Sequence, residues 1–179
     1  MVDVSGEQAI EASQGRLLAI ARRPARRAPM EEIAVGTVTV ERGLDGDHKG
    51  AKFPRRQITV LSIEDWRAAL GALASASLFP DLVPDVAWTV RRANLLVEGI
   101  ALPKAKGGIL AIGAVVLEVT AETSPCRRMD EAQSGLLKAL SPDWRGGVTC
   151  RVVSAGRIAI GDPVIVTNRP ARHRRHLPG

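Results

Sequence analysis

The chain contains no tyrosine, and its aromatic side chains are only Phe53, Phe79, Trp66, Trp88 and Trp144. Its interior must therefore be aliphatic, and a surface that rests nucleic-acid bases on aromatic faces is poorly supplied. There are two cysteines, Cys126 and Cys150, and three histidines, His48, His173 and His176. Two cysteines are too few for a disulfide framework, and four zinc ligands are hard to assemble from these five residues at these spacings. No stretch approaches the ~18 uninterrupted apolar residues of a membrane-spanning helix. The first residues carry Asp3, Glu7 and Glu11 in place of the basic and apolar regions of a secretion signal. These absences lead to the expectation of a soluble, cytoplasmic protein.

What is present is an ordinary globular composition, 179 residues of which 45% are hydrophobic and 25% charged, enough for one domain with a sizeable core. A net charge of +6 suggests a polyanion as partner. Location qualifies that suggestion. Arg169, Arg172, Arg174 and Arg175 contribute four of these six charges and lie in the last eleven residues, which hold no acid. Residues 1–14 and 168–179 are expected to be flexible extensions, the second of them basic, around one domain at 15–167.

Apolar runs of strand length recur between these limits, at Leu17–Ala21, Ile33–Val40, Gln57–Leu61, Val86–Val97, Ile109–Thr120, Val148–Val153 and Arg157–Val166. Several alternate: Val115, Leu117 and Val119 share one face, and so do Val148, Cys150 and Val152. Gly107–Gly108, Gly113, Gly146–Gly147, Gly156 and Gly161 punctuate the second half at turn-like intervals. Ser62 followed by Asp65 predicts a capped helix through Trp66, Ala69, Leu70 and Leu73, and Asp130 with Gln133 predicts a shorter one through Leu136, Leu137 and Leu140. The pattern implies a mainly β domain with few short helices, which closure into a barrel would relieve of exposed edges.

Thr123-Ser124-Pro125-Cys126-Arg127-Arg128 places a cysteine in a loop after a strand-like run, followed by two arginines. A nearby cation favours thiolate over thiol and makes the sulfur a better nucleophile and soft-metal ligand. The same residue type is more often a small buried hydrophobe, so spacing alone leaves both readings open. Cys150 alternates with Val148 and Val152 and reads as core. Arg91-Arg92-Ala93-Asn94 offers guanidinium forks and an amide for phosphate or carboxylate, and Arg145-Gly146-Gly147 offers an arginine with glycine N–H groups. These groups form one site only if the fold gathers them.

Read in order, Gly43-Leu44-Asp45-Gly46-Asp47, Arg56-Gln57-Ile58-Thr59-Val60-Leu61, Arg92 with Asn94, Ile112-Gly113, Leu117-Glu118-Val119-Thr120, Pro125-Cys126, Arg145-Gly146-Gly147 and Gly156-Arg157-Ile158-Ala159-Ile160-Gly161-Asp162 resemble the MOSC domain, found at the C-terminus of molybdenum cofactor sulfurases. The resemblance spans roughly residues 15–167. It implies a closed, mainly β barrel with a few peripheral helices. It also implies binding of the molybdenum cofactor (molybdopterin), with Cys126 carrying sulfur as a persulfide or ligating molybdenum. Arg92, Asn94 and Arg145 match the polar positions beside that cysteine, and Arg127 joins them because it adjoins it. The Gly161-Asp162 pair matches a turn before the last strand.

A full sulfurase has a separate pyridoxal-phosphate domain, for which one barrel of this length leaves no room, so a separate cysteine desulfurase or redox partner is expected to serve the chain. Members that resist hydroxylated purines resemble it less well, because Gly46-Asp47-His48-Lys49-Gly50 has one histidine where they show a pair. The implied activity is sulfurtransferase-like or that of a molybdenum-dependent reductase of N-hydroxylated substrates. The rival from another class is a basic barrel binding nucleic acid through Arg22, Arg23, Arg26, Arg27 and the C-terminal arginines.

Overall fold

The computed structural model describes residues 13–167. The extensions expected at 1–14 and 168–179 fall outside them, except that Ser13 and Gln14 already belong to the first strand. Eleven strands are described: β1 (Ser13–Arg22), β2 (Glu31–Ile33), β3 (Val35–Thr39), β4 (Gly43–Leu44), β5 (Ile58–Ser62), β6 (Leu95–Glu98), β7 (Ile109–Ile112), β8 (Val115–Glu122), β9 (Val148–Ser154), β10 (Gly156–Ala159) and β11 (Pro163–Thr167). The helices are α1 (Ile63–Ser75), α2 (Arg128–Ala132) and α3 (Leu136–Leu140), with 3-10 turns at Trp88–Arg91 and Pro142–Trp144.

Seven strands close on themselves in the order β1, β11, β7, β8, β9, β5, β6, and β6 returns to pair with β1. Closure leaves no unpaired barrel edge. Six of the seven junctions are antiparallel; β5 and β6 run parallel, with Val60 opposite Leu95, and α1 makes part of the long connection between them. β2 extends β1 outward, and β10, β3 and β4 form a separate small sheet. The register of β8 against β9 shifts between Val119 and Ala121, and the Thr120 hydroxyl donates to the Thr149 and Arg55 carbonyls there. A bulge of this kind bends a strand, and the segment beyond this one leads to Cys126.

The alternation read from the sequence is the alternation of burial. Val115, Leu117, Val119, Val148, Cys150 and Val152 all point into the barrel with Leu17, Ile58, Val60, Leu95 and Leu110. No aromatic side chain is fully buried in that interior, as the composition requires. β5 is buried along its whole length because it has neighbours on both faces: Ile58 and Val60 face the barrel, and Leu61 faces a second cluster with Trp66, Leu96, Met129, Leu136 and Leu140 under the helices.

Ser62 caps α1 as expected, its Oγ accepting from the Asp65 N–H at 3.1 Å. Two local expectations change. The run Val86–Val97 is a strand only at Leu95–Glu98; its first half forms the 3-10 turn, ended by Arg92 in the left-handed conformation at φ 61°. Asp130 lies inside α2, and its carboxylate reaches forward to accept the Leu137 N–H of α3 at 2.9 Å. Capping there is supplied across a turn. Among the described residues no helix is long and apolar enough to cross a membrane.

Candidate functional site

Two pairs of segments are tied together here, the loops after β1 and β4 and, separately, the 3-10 turn and the loop after β8. The first is organised by Asp47. Its Oδ1 accepts the Arg23 N–H at 2.9 Å and its Oδ2 accepts the Lys49 N–H at 3.1 Å, so one carboxylate holds the β1 exit against the loop after β4. Burial raises the Asp47 pKa, and the N–H groups of Lys49 and Gly50 and the Asn94 amide oppose that rise. Burial in turn lowers the Lys49 pKa, with Arg56 and Arg91 pushing the same way and Asp47 and the Cys126 sulfur pushing against it.

Arg91 comes from the 3-10 turn and is only 6% exposed. Its Nε donates to the Gly146 carbonyl at 2.8 Å and its Nη2 to the Thr123 carbonyl. Burial pushes its guanidinium down to about 10, which leaves it charged at neutral pH, while the Cys126 sulfur and Glu122 favour the charged form. Cys126 itself is an exposed free thiol at the start of the turn into α2, its carbonyl accepting the Met129 N–H at 2.8 Å. Its sulfur favours the charged forms of Arg91 and Lys49, residues 35 and 77 positions away in the chain.

The sequence-derived residues divide among several places. Arg92 and Asn94 line a cavity of about 20 Å³ together with Arg23, Met30, Asp47 and Lys49. The left-handed turn at Arg92 sends it there while its neighbour Arg91 is buried. Asn94 is buried as well: its Oδ1 accepts the Thr59 N–H at 3.0 Å and its Nδ2 donates to the Ala21 carbonyl at 3.3 Å, so its amide stitches β5 to β1. Arg127 is exposed and lies 3.9 Å from Glu131 one helical turn on. Arg145 donates through Nη1 to the Ala139 carbonyl at 3.1 Å, at the end of α3, and lies in Coulombic range of Asp65 and Asp143.

Gly146 and Gly147 are buried, and the Gly147 N–H donates to the Trp144 carbonyl at 2.9 Å. The Gly147 amide is thus engaged within the protein and not free for an anion. Of the arginines required for a nucleic-acid face, Arg22 lies 3.5 Å from Glu31 and donates to the Asp45 carbonyl, Arg23 lines the cavity, and Arg26 and Arg27 occupy an exposed turn. The basic C-terminal segment lies outside the described residues. His48 is half-buried, with its ring 3.4 Å from the Lys52 ammonium.

Sequence reasoning gave no role to Lys49, Arg56 or Asp47 and treated Arg91 as one arginine of a pair. The only signal was the dense Gly-Asp pattern of residues 43–50, which marks a tight loop without showing what it faces. Cys150 is 0% exposed, and burial pushes its thiol well above the ordinary range. An open cleft of about 720 Å³ is lined by Gln14, Arg16, Glu64, Glu98, Gly99 and Pro163 and contains none of the site residues. Among the described residues no group of three or more His, Cys, Asp or Glu side chains could hold a metal ion.

The model of the MOSC domain family matches residues 45–165. No curated protein matches by sequence. Several solved structures share the fold, among them three bacterial proteins. The YuaD protein from Bacillus subtilis aligns with a TM-score of 0.69 at 17% identity over 87% of this chain and 97% of its own. YiiM from Escherichia coli gives 0.61 at 18% identity over 87% and 71%. YiiM from Geobacillus stearothermophilus gives 0.64 at 16% identity over 88% and 77%. At these identities the likeness concerns the fold.

Proposed function

The chain belongs to the MOSC domain family, and from that premise we propose that it binds the molybdenum cofactor at the Cys126 end of its barrel, with Cys126 as sulfur carrier or molybdenum ligand. The observation that carries this reading is an exposed free thiol at Cys126 on a segment tied, through the Thr123 carbonyl, to the buried guanidinium of Arg91.

The residues present fit such a group. A thiolate is a soft ligand, and guanidinium and ammonium groups suit a phosphate. The buried Thr123 hydroxyl, three residues before Cys126, has no partner among the described residues, and such a hydroxyl is a group that a bound molecule can satisfy. The cavity at Arg92 and Lys49, about 20 Å³, takes a water-sized group such as one phosphate oxygen. Arg92 and Lys49 would hold the phosphate of such a cofactor, with Asn94 fixing the Asp47 loop beside them. Arg145 and Arg127 belong to the proposed set as outer charges, one beside α3 and one on the solvent face of α2.

Bound there, the cofactor would supply molybdenum for two-electron chemistry that amino acid side chains cannot perform. The chain's own part is to present sulfur. A Cys126 thiolate attacks the terminal sulfur of a donor persulfide, the donor leaves as a thiolate, and Cys126 holds the transferred sulfur as its own persulfide. No net oxidant is consumed. The neighbouring cations hold both the attacking thiolate and the resulting persulfide anion in place. A free thiol at the surface and another in the core suit a reducing compartment, consistent with a cytoplasmic protein served by a separate sulfur or electron donor.

Expression in a host that makes the cofactor, followed by molybdenum and pterin analysis, tests the reading. Stoichiometric cofactor in the wild type and loss in Cys126→Ser are expected. Protein that folds but carries neither molybdenum nor pterin would overturn it. Incubation with a persulfide donor and intact-mass measurement then separates the two roles of Cys126, since only a carrier gains one sulfur.

A further inference from the structure

Arg91 is a buried cation with no carboxylate within ion-pair distance among the described residues. Its two hydrogen bonds go to carbonyls, those of Gly146 and Thr123, which satisfy its N–H groups without neutralising its charge. A buried charge without a counter-charge is costly. The two carbonyls offset part of that cost, and the Cys126 sulfur and Glu122 also favour the charged form while Arg56 opposes it.

The two carbonyls also matter for geometry. Thr123 begins the segment that carries Cys126, and Gly146 begins the turn into β9. One guanidinium ties them together. A side chain at position 146 would collide with the Thr123 carbonyl, so glycine is what allows the approach.

We propose that Arg91 is the positioning residue of this site: it clamps the Thr123–Cys126 segment to the Gly146 turn and sets a fixed positive charge beside the Cys126 sulfur, selecting anionic partners for it. The inference rests on the reading of Cys126 as the reacting sulfur but not on cofactor binding. A purely structural Arg91 would hold the loops and leave the charge preference of the thiol unchanged.

The test compares alkylation of Cys126 by iodoacetate, an anion, and iodoacetamide, its neutral analogue, in the full chain prepared without cofactor. The same thiolate attacks both reagents and displaces iodide from each, so the ratio of their rates reports local potential and cancels differences in thiolate population. Arg91→Gln should lower the iodoacetate-to-iodoacetamide ratio about threefold or more, and Arg91→Lys should keep most of it. A folded Arg91→Gln protein with the wild-type ratio would overturn the proposal.

A second measurement needs no variant of Arg91. A short peptide of sequence Ser-Pro-Cys-Arg-Arg keeps the flanking arginines of residues 124–128 and loses the tertiary cations. The folded wild type should exceed its ratio; equality would overturn the proposal even if neither variant folds. Because the readout is alkylation, loss of the cofactor reading would show in molybdenum content alone.

Discussion

The backbone N–H of Arg23 donates to the Asp47 carboxylate at 2.9 Å, joining the end of β1 to the loop that carries Lys49. A partly buried carboxylate thus fixes the cation side of the site, and its burial has a pH signature. Since the folded chain holds the Asp47 proton to a higher pH than the unfolded one, this term favours folding below the ordinary value of 3.8 and is lost as pH climbs through the raised value. Asparagine does not titrate. Relative to wild type, Asp47→Asn should therefore gain stability as pH rises from below 3.8 through the raised value and then level off, a trend that denaturation at a series of pH values can follow. A constant difference across that range would remove the burial argument.

Cys126→Ser and Cys150→Ser should behave differently. The first alters an exposed side chain and should change stability by no more than about 0.5 kcal/mol while abolishing cofactor retention. The second puts a hydroxyl into the apolar layer of Val119, Val148 and Val152 and should cost about 1–3 kcal/mol in urea unfolding, with the folded fraction still holding molybdenum.

The same contrast appears in reactivity. Native protein treated with iodoacetamide should take up one label, at Cys126, and unfolded protein two, as read by peptide mass mapping. Labelling of Cys150 in native protein at a similar rate would contradict its enclosure.

Gly147 has φ 93°, and a Cβ there would run into the Val60 carbonyl. Backbone strain and collision add, so Gly147→Ala should cost about 3 kcal/mol or more in unfolding experiments. Gly107 has φ 92° with open space around it, and Gly107→Ala should cost only about 1–2 kcal/mol.

Arg92 and Arg127 give a graded test of the proposed site. Arg92→Ala removes a cation lining the cavity and should weaken cofactor retention on the order of tenfold during dialysis, whereas Arg127→Ala removes a solvent-facing charge and should weaken it far less. Equal losses would move the phosphate outward toward α2.

Much of this protein was legible in its residues. Strand alternation sent Val115, Leu117, Val119 and Cys150 inward because a side chain on a strand has only two faces, and the near absence of aromatics made that interior aliphatic. Ser62 announced α1 through a contact three residues long. The MOSC pattern, an ordered set of such local signals, located Cys126. The tertiary structure alone decided what surrounds that cysteine. Lys49, Arg91 and Cys126 come from three loops, and only barrel closure brings those loops together. Arg91 and Arg92 are identical neighbours in sequence. A left-handed residue at the end of a 3-10 turn buries one against the Thr123 and Gly146 carbonyls and turns the other into the cavity, a choice set by those non-local partners.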